Sequence, residues 1–194
     1  AYLIDQDEAA VQGYRLSSQS YGARLTGGRA IAPRVTLAYQ LSWARQSDYH
    51  HNPARYEADY WLADATFDIR SWKLNAGYEV LGADSGAALT SFQTPLGSVF
   101  KFQGWADKLT VTPPDGVRDF HAGAGYGWKK LRGIDALGLQ AVWHRYRSDR
   151  LDRHYGDEWN VLLTAQVKKT QISARYARYQ ADRFATDTSK FWLQ

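Results

Sequence analysis

The apolar and polar positions of this chain repeat with a period of two, the spacing that puts alternate side chains on opposite faces of a β-strand. The clearest stretch sets Val35, Leu37, Tyr39, Leu41 and Trp43 on one side against Arg34, Thr36, Ala38, Gln40, Ser42 and Ala44 on the other. Before it, Ser20, Gly22, Arg24 and Thr26 alternate with Tyr21, Ala23 and Leu25, and Gly27 with Gly28 predicts the end of that strand. After it, Trp61, Ala63, Ala65, Phe67 and Ile69 face one way, and Tyr60, Asp64, Thr66 and Asp68 the other. The next apolar set, Trp72, Leu74, Ala76, Tyr78 and Val80, holds even numbers, a phase change that a two-residue hairpin turn at Arg70 and Ser71 predicts. The alternation returns in Phe120 to Trp128, Leu137 to Trp143, Trp159 to Val167 and Ile172 to Tyr176. With partial segments at Ala1 to Asp5 and Lys190 to Gln194, about ten strands are predicted.

The connections alternate in length. Short ones are expected near 27–33, 70–71, 129–136 and 169–170, and long polar ones at 6–18, 46–56, 82–117, 147–157 and 181–188. Outer-membrane barrels combine short periplasmic turns with longer extracellular loops, whereas a soluble sandwich has no reason to keep that asymmetry. The pattern predicts an all-β chain, an antiparallel transmembrane β-barrel forming one domain over 1–194.

Strand alternation alone does not say whether the greasy face meets lipid or a dry core. Aromatic placement does bear on it. Trp43, Tyr78, Trp143, Tyr176, Phe120 and Trp159 stand at the long-loop ends of apolar faces, and Phe67, Trp72 and Trp128 at the short-turn ends. Two aromatic rings around an aliphatic middle suit the two membrane interfaces. The opposite face is rich in Gly, Ser, Thr, Gln and charged residues, which would leave many unsatisfied groups in a dry core. Charged residues make up 23% of the chain and the mean hydropathy is -0.53, too polar for helical spans, and no run of 18 apolar residues occurs. Ala1 in place of Met is expected of a processed or trimmed chain.

The stretch 82–117 is far longer than the other connections and carries Leu89, Phe92, Leu96, Val99, Phe100, Phe102, Trp105 and Leu109, too much apolar content for a loop in water. It is expected to fold into the lumen or across the mouth as a constriction or lid, with Phe92, Phe100, Lys101, Trp105 and Lys108 near the path. The polar face carries Arg24, Arg34, Lys73, Lys168 and Arg175 against Asp64, Asp68 and Glu79, a basic excess that would draw anions into a pore. Cross-strand pairing is the competing reading, strongest for Lys73 with Asp64 or Asp68; Arg24 and Arg34 have no obvious acid in phase. Arg45, Arg145 and Arg178 keep the outward phase just beyond Trp43, Trp143 and Tyr176, where either lipopolysaccharide phosphates or plain solvation would account for them.

The segments ARQSDYHHNPARYEADYWL, YEVLGADSG, SFQTPLGSVFKFQGWADKLTVTPPDGVRD and FATDTSKFWLQ are similar to the alginate-export-like family of bacterial outer-membrane β-barrel proteins, over about Gly22 to Gln194. The resemblance implies a Gram-negative outer-membrane channel, named by analogy with the exporter of an anionic polysaccharide. Family barrels exceed ten strands and end in an aromatic-terminated strand read by the barrel-assembly machinery. Because this chain stops at Gln194, a C-terminal portion of a larger barrel is expected, with a closed ten-stranded barrel as the alternative.

Enzymatic readings find little support. His50 and His51 lie in a loop without a patterned third ligand, and His121 and His144 share the lumen phase, where a place among the polar residues of the wall accounts for them as easily as a chemical role. Asp5, Asp7 and Glu8, or Asp182 and Asp187, do not have EF-hand spacing. With no GxSxG, no HExxH, no phosphate-cradling glycine loop and no Cys, the chain is expected to be neither an enzyme nor a carrier of a cofactor or metal. A net charge of +4 without a concentrated basic recognition element predicts no nucleic-acid partner. The expected function is a porin or exporter passing small or polymeric anionic solutes, and the alternative a non-conducting barrel that scaffolds envelope machinery.

Overall fold

The computed structural model describes residues 1–96, 103–131 and 133–194. Ten antiparallel strands form one sheet in chain order: β1 (Tyr2–Ile4), β2 (Ser18–Ala32), β3 (Val35–Asp48), β4 (Glu57–Ile69), β5 (Trp72–Leu81), β6 (Val117–Leu131), β7 (Ile134–Arg147), β8 (His154–Val167), β9 (Thr170–Ala181) and β10 (Thr188–Leu193). A three-residue 3-10 turn at Gln12–Tyr14 is the only helical element among the described residues.

The predicted asymmetry of the connections is present. At one end β2 and β3 are joined through Pro33 and Arg34, β4 and β5 through Arg70 and Ser71, and β8 and β9 through Lys168 and Lys169, while Leu131 pairs with Ile134 across the fourth reversal. Arg34, Arg70 and Lys168 take positive φ there, as tight hairpin turns require of a central residue. Two basic residues expected on the wall, Arg34 and Lys168, are therefore turn residues outside the strands. Gly27 and Gly28 do not end β2, which runs on to Ala32. Gly27 lies opposite Tyr39, and a Cβ at Gly27 would strike that ring, so the glycine makes room for an aromatic partner rather than a turn.

The ten expected strands are present as one open antiparallel sheet, and the closed ten-stranded alternative is not formed. β1 pairs only with Ser18 to Ser20 of β2, and β10 only with Ala174 to Tyr179 of β9. Three residues are too few to cover the edge of a 15-residue strand, so most of β2 has a single neighbour.

Burial is inverted between the two faces. On the apolar face Leu25 is 57% exposed, Trp61 54% and Phe191 67%, while on the polar face Glu158 is 0% exposed and Asp119 2%. The cause is the segment between β5 and β6, which lies over the long-loop end of the polar face. Gln93 and Gln46 of β3 exchange hydrogen bonds of 2.7 and 3.0 Å, the Ala106 N–H donates to Glu158 of β8 at 2.9 Å, and Lys190 of β10 meets Asp107 at 2.7 Å. The segment thus reaches across most of the sheet. Phe92, Ala106 and Leu109 join Leu81, Val117, Tyr146, Ala177 and Tyr179 in a hydrophobic cluster, and Trp105 packs against it. Phe100 and Lys101 lie outside the described residues.

Candidate functional site

Register builds the site. Residues two apart on a strand share a face, and directly opposed residues on neighbouring strands bring their Cβ atoms to about 5 Å. One polar row therefore crosses six strands: Asp64, Gly77, His121, His144, Glu158 and Tyr179, each opposite the next. The neighbouring row contains Glu79, Asp119 and Tyr146, again directly opposed.

The contacts follow from that placement. His144 Nδ1 lies 2.9 Å from Asp119 Oδ2, and His121 Nδ1 lies 3.5 Å from the same oxygen. Gly77 offers no side chain, so Asp64 of β4 reaches over β5 to put its Oδ2 3.0 Å from His121 Nε2. A Cβ at Gly77 would strike His121 and sit 2.7 Å from that same carboxylate oxygen. Glu79 accepts hydrogen bonds from Tyr60 Oη at 2.7 Å and from Gln103 Nε2 at 3.1 Å. Glu158 accepts the N–H groups of Trp105 and Ala106, which approach closely because Gly104 takes a φ of +86°. Tyr146 stacks on His144 with ring centroids 5.6 Å apart. Beside this cluster, burial pushes the Tyr56 hydroxyl up to about 12, which keeps it a proton donor to Gln46 Oε1 at 3.2 Å.

The short-turn end of the sheet is different. An open cavity of about 790 Å³ is lined there by Arg34, Arg70 and Lys129 with Gly127, Gly138, Thr164 and Gln166; no carboxylate lines it among the described residues, and Asp68 lines the adjoining cavity with Arg70 and Lys73.

The expected basic residues are scattered by comparison. Arg24 is hydrogen-bonded to Gln40, Lys73 lies 3.4 Å from Asp68, and Arg175 is half-buried on the polar face. Lys168 donates its backbone N–H to Asp135 at 2.6 Å and takes no part in the cavity. Among the residues expected at a constriction, Phe92 is buried against Tyr60, with ring centroids 5.3 Å apart, Trp105 is partly buried, and Lys108 is half-buried. Of the outward arginines, Arg45 grips Asp59 at 2.8 and 3.0 Å, and Arg145 meets Asp157 at 3.0 Å while lying 4.9 Å from the Trp143 ring. Arg178 is exposed and has no ion pair among the described residues.

Residue patterns alone did not single out Asp119, Glu158, Arg70 or Lys129. The signal for the first was available: Asp119 and His121 form a D-x-H on one strand, in phase with His144 on the next. Glu158 needed the path of the covering segment, which no periodicity contains. Compared with protein-family models, curated proteins and solved structures, the chain matches none of them.

Proposed function

We propose that this chain is wall and inner segment of a bacterial outer-membrane β-barrel channel for small or polymeric anionic solutes, as its resemblance to the alginate-export-like family implies. The observation that carries the reading is the inversion of burial. Leu25, Leu41, Trp61, Trp72, Leu139, Trp159 and Leu163 are exposed on one continuous face, while carboxylates and amides are buried on the other. In water so broad an apolar face would be an aggregation surface; in hydrocarbon it is matched to its solvent. Strands β2 to β9, of 10–15 residues, are long enough to cross a bilayer, for which about 9–11 tilted residues suffice. In hydrocarbon the free edge of β2 needs a partner strand, because unpaired backbone groups there are costly.

Selectivity for anions is supported by the excess of cations at the short-turn end, where Arg34, Arg70 and Lys129 line one cavity and Arg70 and Lys73 line the adjoining one against a single acid among the described residues, Asp68. Once such a face is enclosed in a barrel, cations lining the aqueous space raise the local concentration of anions and replace part of their hydration. The covering segment, lying over the other end of the polar face, supplies the narrow part of such a path. The same segment favours a second reading, a non-conducting barrel, since its contacts with β3, β8 and β10 close over that end.

Folding into vesicles whose lipids carry bromine on the acyl chains tests the membrane reading. Emission from Trp61, Trp72 and Trp159, each about half exposed on the apolar face, should be quenched. A folded chain whose tryptophans escape quenching would overturn it. Planar-bilayer conductance then separates the channel from the scaffold, because a folded, inserted chain that passes no current is a scaffold.

A further inference from the structure

We infer that Asp119, His121 and His144 form a binding site for one divalent transition-metal ion of the zinc class. This inference does not depend on the membrane reading, since it rests on side chains of the neighbouring strands β4 to β7 alone. One ligand atom from each residue lies within 4.8 Å of the others. A metal bonded at about 2.0–2.2 Å holds neighbouring ligand atoms roughly 3.3 Å apart in tetrahedral coordination, so small rotations of the side chains complete the geometry.

The second, independent observation is an unsatisfied atom. His121 Nδ1 is buried and has no hydrogen-bond partner; 3.5 Å from Asp119 Oδ2, it is beyond a good hydrogen bond. The other ring nitrogen of His121 is engaged by Asp64 at 3.0 Å. With the proton on Nε2 and held by Asp64, the lone pair of Nδ1 points toward Asp119 and His144. A carboxylate behind a ligating imidazole is the arrangement that fixes the tautomer and raises ligand basicity at metal sites.

Charge balance argues the same way. Asp119 is 2% exposed, and Glu79 stands directly opposite it on β5. Buried carboxylates need compensating positive charge, and a dication among two imidazoles and a carboxylate provides it. Imidazole donors favour zinc-class ions over calcium or magnesium, which prefer all-oxygen shells. Three protein ligands leave a coordination position open, which is the pattern of a site able to bind a further water or anion.

Five histidines occur in the chain, so replacing His50, His51 and His154 with Ala leaves His121 and His144 as its only imidazoles. These three lie in or at the end of connections, outside the cluster. In that background, calorimetry with Zn²⁺ should give one site per chain, and the electron paramagnetic resonance spectrum of bound Cu²⁺ should show hyperfine coupling to two nitrogens. Asp64→Asn should weaken Zn²⁺ binding about 10–100-fold without removing the two-nitrogen signal. No stoichiometric Zn²⁺ binding, or a copper spectrum with fewer than two nitrogens, would overturn the assignment.

Discussion

The two ends of the polar face are built by the same alternation of residues, yet they have little else in common. At the long-loop end, Asp119, His121, His144, Glu158 and Tyr146 are packed beneath the segment between β5 and β6; His144 meets Asp119 and Glu158 meets the segment's backbone, while His121 Nδ1, Tyr146 Oη and Glu158 Oε2 are buried without a hydrogen-bond partner among the described residues. At the short-turn end, Gly127, Gly138, Thr164 and Gln166 leave an open cavity edged by Arg34, Arg70 and Lys129. Alternation decides which face a side chain points from. The covering segment decides whether that face is an interior or a solvent-filled surface, and so whether a charge there must find a partner.

The largest effect is expected where the covering segment is tied down. Glu158 is fully buried and accepts two backbone N–H groups of that segment. Glu158→Ala would remove the acceptor of both N–H groups, of which the Ala106 N–H is buried and the Trp105 N–H partly buried, a loss of roughly 2–4 kcal/mol, whereas Glu158→Gln keeps one acceptor oxygen and should cost less. Denaturant unfolding should resolve the difference, and limited proteolysis should show cleavage near Trp105 in Glu158→Ala alone. Equal protection of both variants would mean that the segment is held by its apolar contacts and not by this carboxylate.

A pair of glycines on the same face sharpens the contrast at smaller cost. Adding a Cβ to Gly77 places it against His121 and 2.7 Å from Asp64 Oδ2, while the nearest atom to a Cβ on Gly127 is Ser71 O at 4.0 Å. Gly77→Ala should therefore destabilise the chain by about 1–3 kcal/mol through overpacking and separation of Asp64 from His121. Gly127→Ala should stay within about 0.5 kcal/mol of the parent. Similar values for the two substitutions would erase the distinction between a packed end and an open one.

Much of this contrast was legible in the residues. The period of two placed Asp64, Glu79, His121 and His144 on one face, and the apolar content around Phe92 and Trp105 foretold that 82–117 would not stand free in water. The two-residue turn at Arg70 and Ser71 followed from a phase change alone. Other features depend on information that periodicity lacks. Gly27 reads as a stop until Tyr39 is seen to need its empty space. Arg34 and Lys168 fit the polar phase of their strands by number, but the turn begins one residue earlier or later than alternation suggests, and a single residue separates wall from turn. The partner of Glu158 comes from a segment more than 50 residues away. Likewise, the open edge of β2 is a property of neighbours, which no strand carries in its own pattern.

The smallest effect on stability, and the most direct probe of the open end, is expected from reversing its charge. Arg70 occupies a turn, Lys129 lies near the end of β6, and both border the cavity, whose described lining holds no carboxylate. Arg70→Glu with Lys129→Glu removes no ion pair formed with a described residue, so stability should change by about 0.5 kcal/mol or less. If anions pass through this cavity, the reversal potential in a salt gradient should move toward cation preference, and the shift should shrink as ionic strength rises and screening shortens the reach of the charges. Lys73→Gln, which removes a cation already paired with Asp68, should move it less. A double variant with the parent's reversal potential would place the conducting path away from this end, and with it the basis for anion selectivity.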